Sequence, residues 1–312
     1  MRARLIRALD FFLGDDMSLY KYVIAERIDI LRNARIRFTQ PSAFNDPFEM
    51  RPFIESFTKE IPTGLDRSQE RASMEETYLD LKRGMEKQSP EAYSLLCKME
   101  KIVPSAIEEL LNMSFDQLVE MCERDEAKEW FRTNFLREFN NRVGVLCLTE
   151  KCDNLLMWAH YTNNHQGFVI QFDENHPYFH ISQGLPNEYG YIDLRKVQYS
   201  VERPNLASLS ELSNGKWYLC KGNEWEYEQE WRMLRRLDEA EQVIVQDEGN
   251  IYLFSLPPAS VRGVILGCRM SEKRKTEILE FLRNDGRYSH VKTSQAVMDD
   301  RGYVLSIVPN EI

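Results

Sequence analysis

The sequence predicts an α+β fold, and three observations carry that prediction. Strand-like stretches stand at both ends of the chain: "SLYKYV" near the start and, from Arg142 on, "VGVLCLTE", "GFVIQFD", "RKVQYSV", "EWRMLRRL", "NIYLFSL", "VRGVILGC" and "YVLSIVP". Residues 65–140 between them are charge-rich and helix-periodic. A helix, "SEKRKTEILEFLRN", precedes the last strand. Apolar spacing that switches from a period of two to 3.6 and back reads as a sheet core interrupted by a helical insertion. The expected organisation is 1–64 and 141–312 as one α+β core and 65–140 as a lobe of roughly three to five helices.

Each element has a local reason. Residues 2–14 are helix-like and stop at Gly14, which can take a left-handed cap. "MRARLIRALDFFL" reads as an amphipathic first helix, because its apolar run is short and broken by charge. "SLYKYV" alternates, and "AERIDILRNA" puts Ile28, Ile30, Leu31 and Ala34 near one helical face. "RIRFTQPSAFNDPFEM" is a short strand and a proline-punctuated loop. In the insertion, Ser89-Pro90-Glu91 puts proline at a first helical position. Ser105-x-x-Glu108 and Ser114-x-x-Gln117 fit the capping box.

Composition narrows the class. The 312 residues are 43% hydrophobic, enough for one large core with a lobe. A formal charge of −10 argues against a broad phosphate-binding face. Six cysteines lie far apart with no Cys-x-x-Cys, which points to reduced thiols in the cytoplasm and to no zinc site. No apolar run approaches the ~20 residues a membrane span needs, so no membrane partner is expected. There is no GxSxG, Walker A or GxGxxG, which leaves triad hydrolases, P-loop enzymes and Rossmann dehydrogenases without support.

Three motifs concentrate polar and aromatic residues. "FNDPFE" at 44–49 reads as a turn capped by Asn45 or Asp46, or as a cleft mouth carrying Asn45, Asp46 or Glu49, with Phe44 and Phe48 anchored in the core. "LLMWAHYTNNHQG" reads as a helix with a buried aromatic face, or as a wall formed by Trp158 and Tyr161 with His160 or Asn163 as hydrogen-bonding groups. His160 and His165 are poorly spaced to share a metal. "EWEYEQEWRML" at 224–234 reads as one strand with Glu226, Glu228, Glu230 and Arg232 on one face. Carboxylates so close repel unless cations compensate, and Lys221 and Arg232 are near enough in sequence to do so.

In this order, "LYKY", "ILRNARIRFTQPSAFNDPFE", "CLTEKCDNLLMWAHYTNNHQGFVIQFD", "WEYEQEWRML" and "VRGVILGCRM" resemble a bacterial family known only as domain of unknown function 2971. The resemblance covers both ends of the chain and skips the insertion. A second, more distant resemblance is to ADP-ribosyltransferases, whose fold opens with a Tyr-His or Tyr-Arg strand. Their middle strand leads into a helix, and a late strand carries the catalytic Glu.

That second resemblance implies an ADP-ribosyltransferase-like mixed sheet core with NAD as substrate. It implies Glu230 as the catalytic carboxylate and Glu228 as the acceptor-positioning one, with the register between the two open. Thr149 falls at the middle-strand position. Lys21 stands where the family has His or Arg and lacks the arginine fork. Tyr20, Lys21, Tyr22, Asn45, Asp46, Thr149, Trp158, His160 and Tyr161 are then the expected cofactor-binding residues, with no metal. The acceptor would be a protein or nucleic acid, in a toxin or defence effector, with the insertion as a surface for a protein partner. Two other readings stand beside it. One is a non-catalytic ligand- or partner-binding module. The other is a metal-dependent nuclease that gathers Mg²⁺ at Asp46, Glu49, Glu228 and Glu230.

Overall fold

The structure is a computed structural model and describes residues 18–56, 58, 66–88, 93–94, 96–97, 100–101, 104–180, 192–206, 216–247 and 249–310. The helix expected over 2–14 and the Ser89-Pro90-Glu91 start lie outside the described residues. In chain order the strands are β1 (Ser18–Val23), β2 (Arg35–Phe38), β3 (Phe53–Ile54), β4 (Val143–Thr149), β5 (Phe168–Asp173), β6 (Ile192–Lys196), β7 (Gln198–Ser200), β8 (Asn205–Leu206), β9 (Cys220–Gly222), β10 (Glu230–Arg236), β11 (Gln242–Ile244), β12 (Ile251–Ser255), β13 (Val261–Leu266), β14 (Lys292–Met298) and β15 (Leu305–Pro309). The α-helices are α1 (Asp29–Arg32), α2 (Arg67–Gln88), α3 (Pro104–Leu111), α4 (Phe115–Glu123), α5 (Asp125–Arg142), α6 (Leu155–Tyr161) and α7 (Glu272–Asn284). The chain is therefore mixed α and β, and no described helix is long and apolar enough to cross a membrane.

Two compact units divide the chain: Met1–Arg51, Leu136–Arg203 and Trp217–Ile312 form one, and Pro52–Phe135 with Pro204–Lys216 the other. The sequence places boundaries at 64/65 and 140/141, and these units divide at 51/52 and 135/136. The second unit also recruits a later segment, because β3 pairs in parallel with β8 and ties 204–206 to the residues after Pro52.

The first unit holds an eight-stranded mixed sheet in the order β15-β14-β13-β5-β1-β4-β10-β6. Only β13 and β14 run parallel within it. The four strands expected to share one core, near 19–23, 143–149, 168–172 and 227–234, are neighbours here, although the last starts only at Glu230. Alternation in β1 explains its place. Leu19 and Val23 enter a core with Leu146, Leu148, Ile170 and Phe172, while Tyr20 and Tyr22 enter a second with Met157, Trp158 and Val169. The strand at 292–298 was not among those expected; its "KTSQAVM" mixes polar and small residues and carries a weak apolar signal.

Polar contacts recur among the described residues of the second unit. Ser114 and Gln117 form the expected capping box of α4, with Oγ accepting from Gln117 N at 3.1 Å and Oε1 from Ser114 N at 2.9 Å. Ser105 lies inside its helix and not at the cap position. Helix α3 already includes Pro104, whose fixed φ suits a first turn, and Glu108 instead accepts from Arg71 at 2.9 Å.

Candidate active site

The site begins with strands that part. β1 pairs with β5 along its length, from Ser18↔Asp173 to Val23↔Phe168. It meets β4 at one point only, Tyr20↔Thr149. β4 is meanwhile paired along its other edge with β10, from Glu230↔Thr149 to Arg236↔Val143. The freed edge of β4 still needs partners, since unpaired buried backbone groups are costly. Thr39 exchanges two 2.9 Å bonds with Val145, and Lys21 Nζ donates to Cys147 O at 3.1 Å. A cleft of about 410 Å³ opens where the strands separate.

Five charged side chains gather at this cleft, all almost fully buried. Lys221 Nζ lies 2.6 Å from Glu228 Oε2, 3.1 Å from Glu230 Oε2 and 3.6 Å from Glu49 Oε2. Arg232 Nε donates to Glu230 Oε1 at 2.8 Å and its Nη2 to Glu230 Oε2 at 3.0 Å, a fork matched to one carboxylate. The same Nη2 contacts Glu49 Oε1, and Nη1 donates to Tyr218 O at 2.7 Å. Burying such ions is tolerable only when they are paired and hydrogen-bonded. The compensation expected from Lys221 and Arg232 is thus present.

Charge balance sets the protonation of the cluster. Burial opposes ionisation of Glu230, but Arg232 and Lys221 outweigh it and hold the carboxyl down at about 2. Burial also works against the Lys221 ammonium, yet Glu230, Glu49 and Glu228 raise it above the ordinary lysine range. Glu49 goes the other way: burial pushes it up to about 7 against the pull of Arg232, with Glu230 adding to the push. Lys21 is lowered by its burial.

The carboxylates reach this cluster by an unexpected path. Residues 224–234 are not one strand. Asn223–Glu228 is a 3₁₀ helix, Gln229 turns left-handed at φ 44°, and β10 starts at Glu230. Glu228 and Glu230 therefore converge around a turn and do not line up along a strand face. Tyr199 completes the arrangement, its hydroxyl accepting from Glu230 N at 2.8 Å.

Helix α6 forms one wall. Asn154 caps it, accepting from Leu156 N at 2.9 Å and Met157 N at 3.1 Å, and donates to Tyr227 O at 3.2 Å. Tyr161 then reaches Glu228 Oε1 with a 2.6 Å hydrogen bond. Burial, followed by Glu228, raises the Tyr161 phenol. His160 also lines the cleft. After the helix Asn163, Asn164 and His165 all take positive φ, of 50°, 56° and 68°. Asn and His tolerate this region better than most residues. Gly167 follows where an added Cβ would lie 2.1 Å from Val23 O. The polar run after Tyr161 is thus a tight return to β5, and Asn163 is not in the cleft.

Of the expected site residues, Tyr20, Lys21, Tyr22, Asn45, Thr149, His160, Tyr161, Glu228 and Glu230 line this one cleft. Two do not. Trp158 is 0% exposed: its indole donates to Cys152 O at 2.8 Å and packs edge-on against Tyr22 at 5.3 Å, so it supports the wall from behind. Asp46 is buried away from the cleft, with Oδ1 accepting from Phe48 N at 2.9 Å, the turn role. Phe48, expected in the core, is 66% exposed, leaving Phe44 half-buried as the loop's only aromatic anchor. Sequence reasoning missed Cys147 and Tyr199, whose surroundings come from distant strands. Among the described residues no group of three or more His, Cys, Asp or Glu side chains is arranged to hold a metal ion.

Residues 157–233 match the family described as "Protein of unknown function (DUF2971)". This part of the chain is similar to that family. The matched segment carries Tyr161, Lys221, Glu228, Glu230 and Arg232, which make up most of the charged cluster and its wall. It leaves out β1 and the 44–49 loop. No curated protein and no solved structure matches the chain.

Proposed function

We propose that the protein is an ADP-ribosyltransferase that consumes NAD in the cleft between β1 and β4. One observation carries the reading. Lys21, Thr149 and Glu230, the positions implied by the resemblance, stand on three adjacent strands and line one cleft. Breaking the bond between nicotinamide and ribose develops positive charge on the sugar. A carboxylate kept ionised in a preorganised site stabilises that charge. Glu230 suits this role because its low pKa keeps it charged across the physiological range. Tyr20 and Tyr22 supply aromatic surface, and Tyr161 with Glu228 a polar site for the acceptor. The acceptor class is a protein or nucleic acid. A toxin or defence role and a cytoplasmic setting belong to the same proposal, the latter resting on the cysteine spacing.

A second reading, a non-catalytic binding cleft, is favoured by one feature: both oxygens of Glu230 already accept hydrogen bonds from Arg232 and Lys221. The metal-dependent reading has less support, because Asp46 is turned away and the Lys221 ammonium lies among the three carboxylates that remain. Incubation with labelled NAD and a cell extract, with label read separately on protein and nucleic acid, tests the proposal. Label on either acceptor supports it. NAD binding without cleavage would favour the binding module.

A further inference from the structure

Two cations face three carboxylates in the buried cluster, so the carboxylates share their partners unequally. Glu230 has both oxygens hydrogen-bonded to Arg232 and Lys221. Glu228 has one oxygen on Lys221 and the other on Tyr161. Glu49 shares the Nη2 of Arg232 that Glu230 also uses, and its Oε2 is 3.6 Å from Lys221, beyond a hydrogen bond. Glu49 is therefore the least compensated of the three, paired with Arg232 through a nitrogen that Glu230 also uses, and it lines the cleft.

We propose that Glu49 is the proton acceptor of the cleft, the group that takes the proton released when the acceptor nucleophile attacks. This rests on the ADP-ribosyl-transfer reading. In that step a bond forms between the nucleophile and ribose C1′. The bond from C1′ to nicotinamide breaks, with its electron pair going to the nicotinamide nitrogen. The nucleophile's proton passes to the Glu49 carboxylate. The charged and titratable groups facing Glu49 are Arg232 and Glu230 of β10, Lys221 of β9, Glu228 of the preceding turn and Cys147 of β4. On its own loop Asp46 is committed to Phe48 N. This surrounding places the Glu49 titration at about 7, where a base works best at neutral pH.

The test has two readouts on the full chain. The first is the carboxyl signal of Glu49 in difference infrared spectra, wild type against Glu49→Gln, followed across pH. A midpoint near 7 is expected, and one below about 5 overturns the proposal. The second is the pH profile of NAD cleavage by water. Wild type should show a rate rising through about pH 7, and Glu49→Gln should lose that limb and ~10²–10⁴-fold in rate. Wild-type cleavage without the limb, or a limb that survives in Glu49→Gln, overturns the role of Glu49 alone. No cleavage at any pH overturns the transferase reading and, with it, the proton-acceptor role, whatever the infrared midpoint. Should Glu49→Gln fail to fold by circular dichroism, Glu49→Asp serves. It keeps a carboxyl and should keep a displaced limb, and an unmoved limb overturns the proposal.

Discussion

Tyr161 on α6 donates a 2.6 Å hydrogen bond to Glu228, 67 residues further along the chain. The bond ties the wall of the cleft to the turn that delivers both carboxylates. Tyr161→Phe removes it together with the Asn45 hydrogen bond to the same hydroxyl, and leaves the ring in place. A hydrogen bond to a charged group contributes about 1.5–3 kcal/mol, so the unfolding midpoint in denaturant should fall accordingly. Transfer to an acceptor should drop, while NAD cleavage by water persists. Equal loss of both would remove the distinction drawn between Glu228 and Glu230.

Glu230→Gln should lower NAD cleavage by ~10²–10³, the effect of deleting a preorganised electrostatic contact. Its stability cost should be several kcal/mol, because a member of a buried, paired cluster is being neutralised. Glu228→Gln should leave cleavage by water and impair transfer. Single-turnover rates at a temperature where circular dichroism shows each variant folded separate activity from stability. Full transfer by Glu230→Gln would end its assignment.

Arg232→Met leaves Glu230 and Glu49 buried without their shared cation. Removing one partner of such a pair costs about 3–5 kcal/mol. Arg232→Lys should recover only part of that loss, since lysine keeps the charge but not the two-pronged geometry. Chemical denaturation of both variants gives the comparison, and equal stability of Arg232→Lys and wild type would contradict the role given to the fork.

Stability should peak in mildly acidic solution as far as these two carboxyls decide it. Glu230 is held at about 2 when folded, against an ordinary 4.5. Its contribution is complete above 4.5 and is lost as pH falls towards 2. Glu49 is raised to about 7. Its contribution is complete below 4.5 and is lost as pH rises to 7, because the unfolded chain ionises first. In melting curves across pH, Glu49→Gln should flatten the loss on the alkaline side and Glu230→Gln the loss on the acid side. Variant profiles parallel to wild type on both sides would refute the assignment.

Trp158→Ala should destabilise by about 3–5 kcal/mol, as expected for a fully buried indole. NAD affinity of the folded fraction should be retained, because the ring does not face the cleft. Isothermal titration below the melting point checks this. A selective loss of NAD binding would return Trp158 to the wall.

Local chemistry was legible in the sequence wherever neighbours along the chain decide the outcome. The alternation of "SLYKYV", the capping box at Ser114 and the Asp46 turn each depend on residues within a few positions, and each is present in the structure. Most of the candidate residues named from the sequence line one cleft. Their arrangement was not legible. Glu49 meets Arg232 across 183 positions, and Lys21 meets Cys147 across 126. No periodicity encodes contacts of that range. The left-handed turn at Gln229 is likewise invisible in "EWEYEQEWRML", whose alternation imitates a continuous strand. By itself the sequence determined most of the strand segments, the capping box at Ser114 and which polar residues were available. Tertiary structure decided that β1 and β4 part after a single pair, that three carboxylates share two cations, and that Trp158 faces inward. The physical reason is that burial and charge pairing are properties of the assembled core, where each group's environment is set by strands remote in sequence.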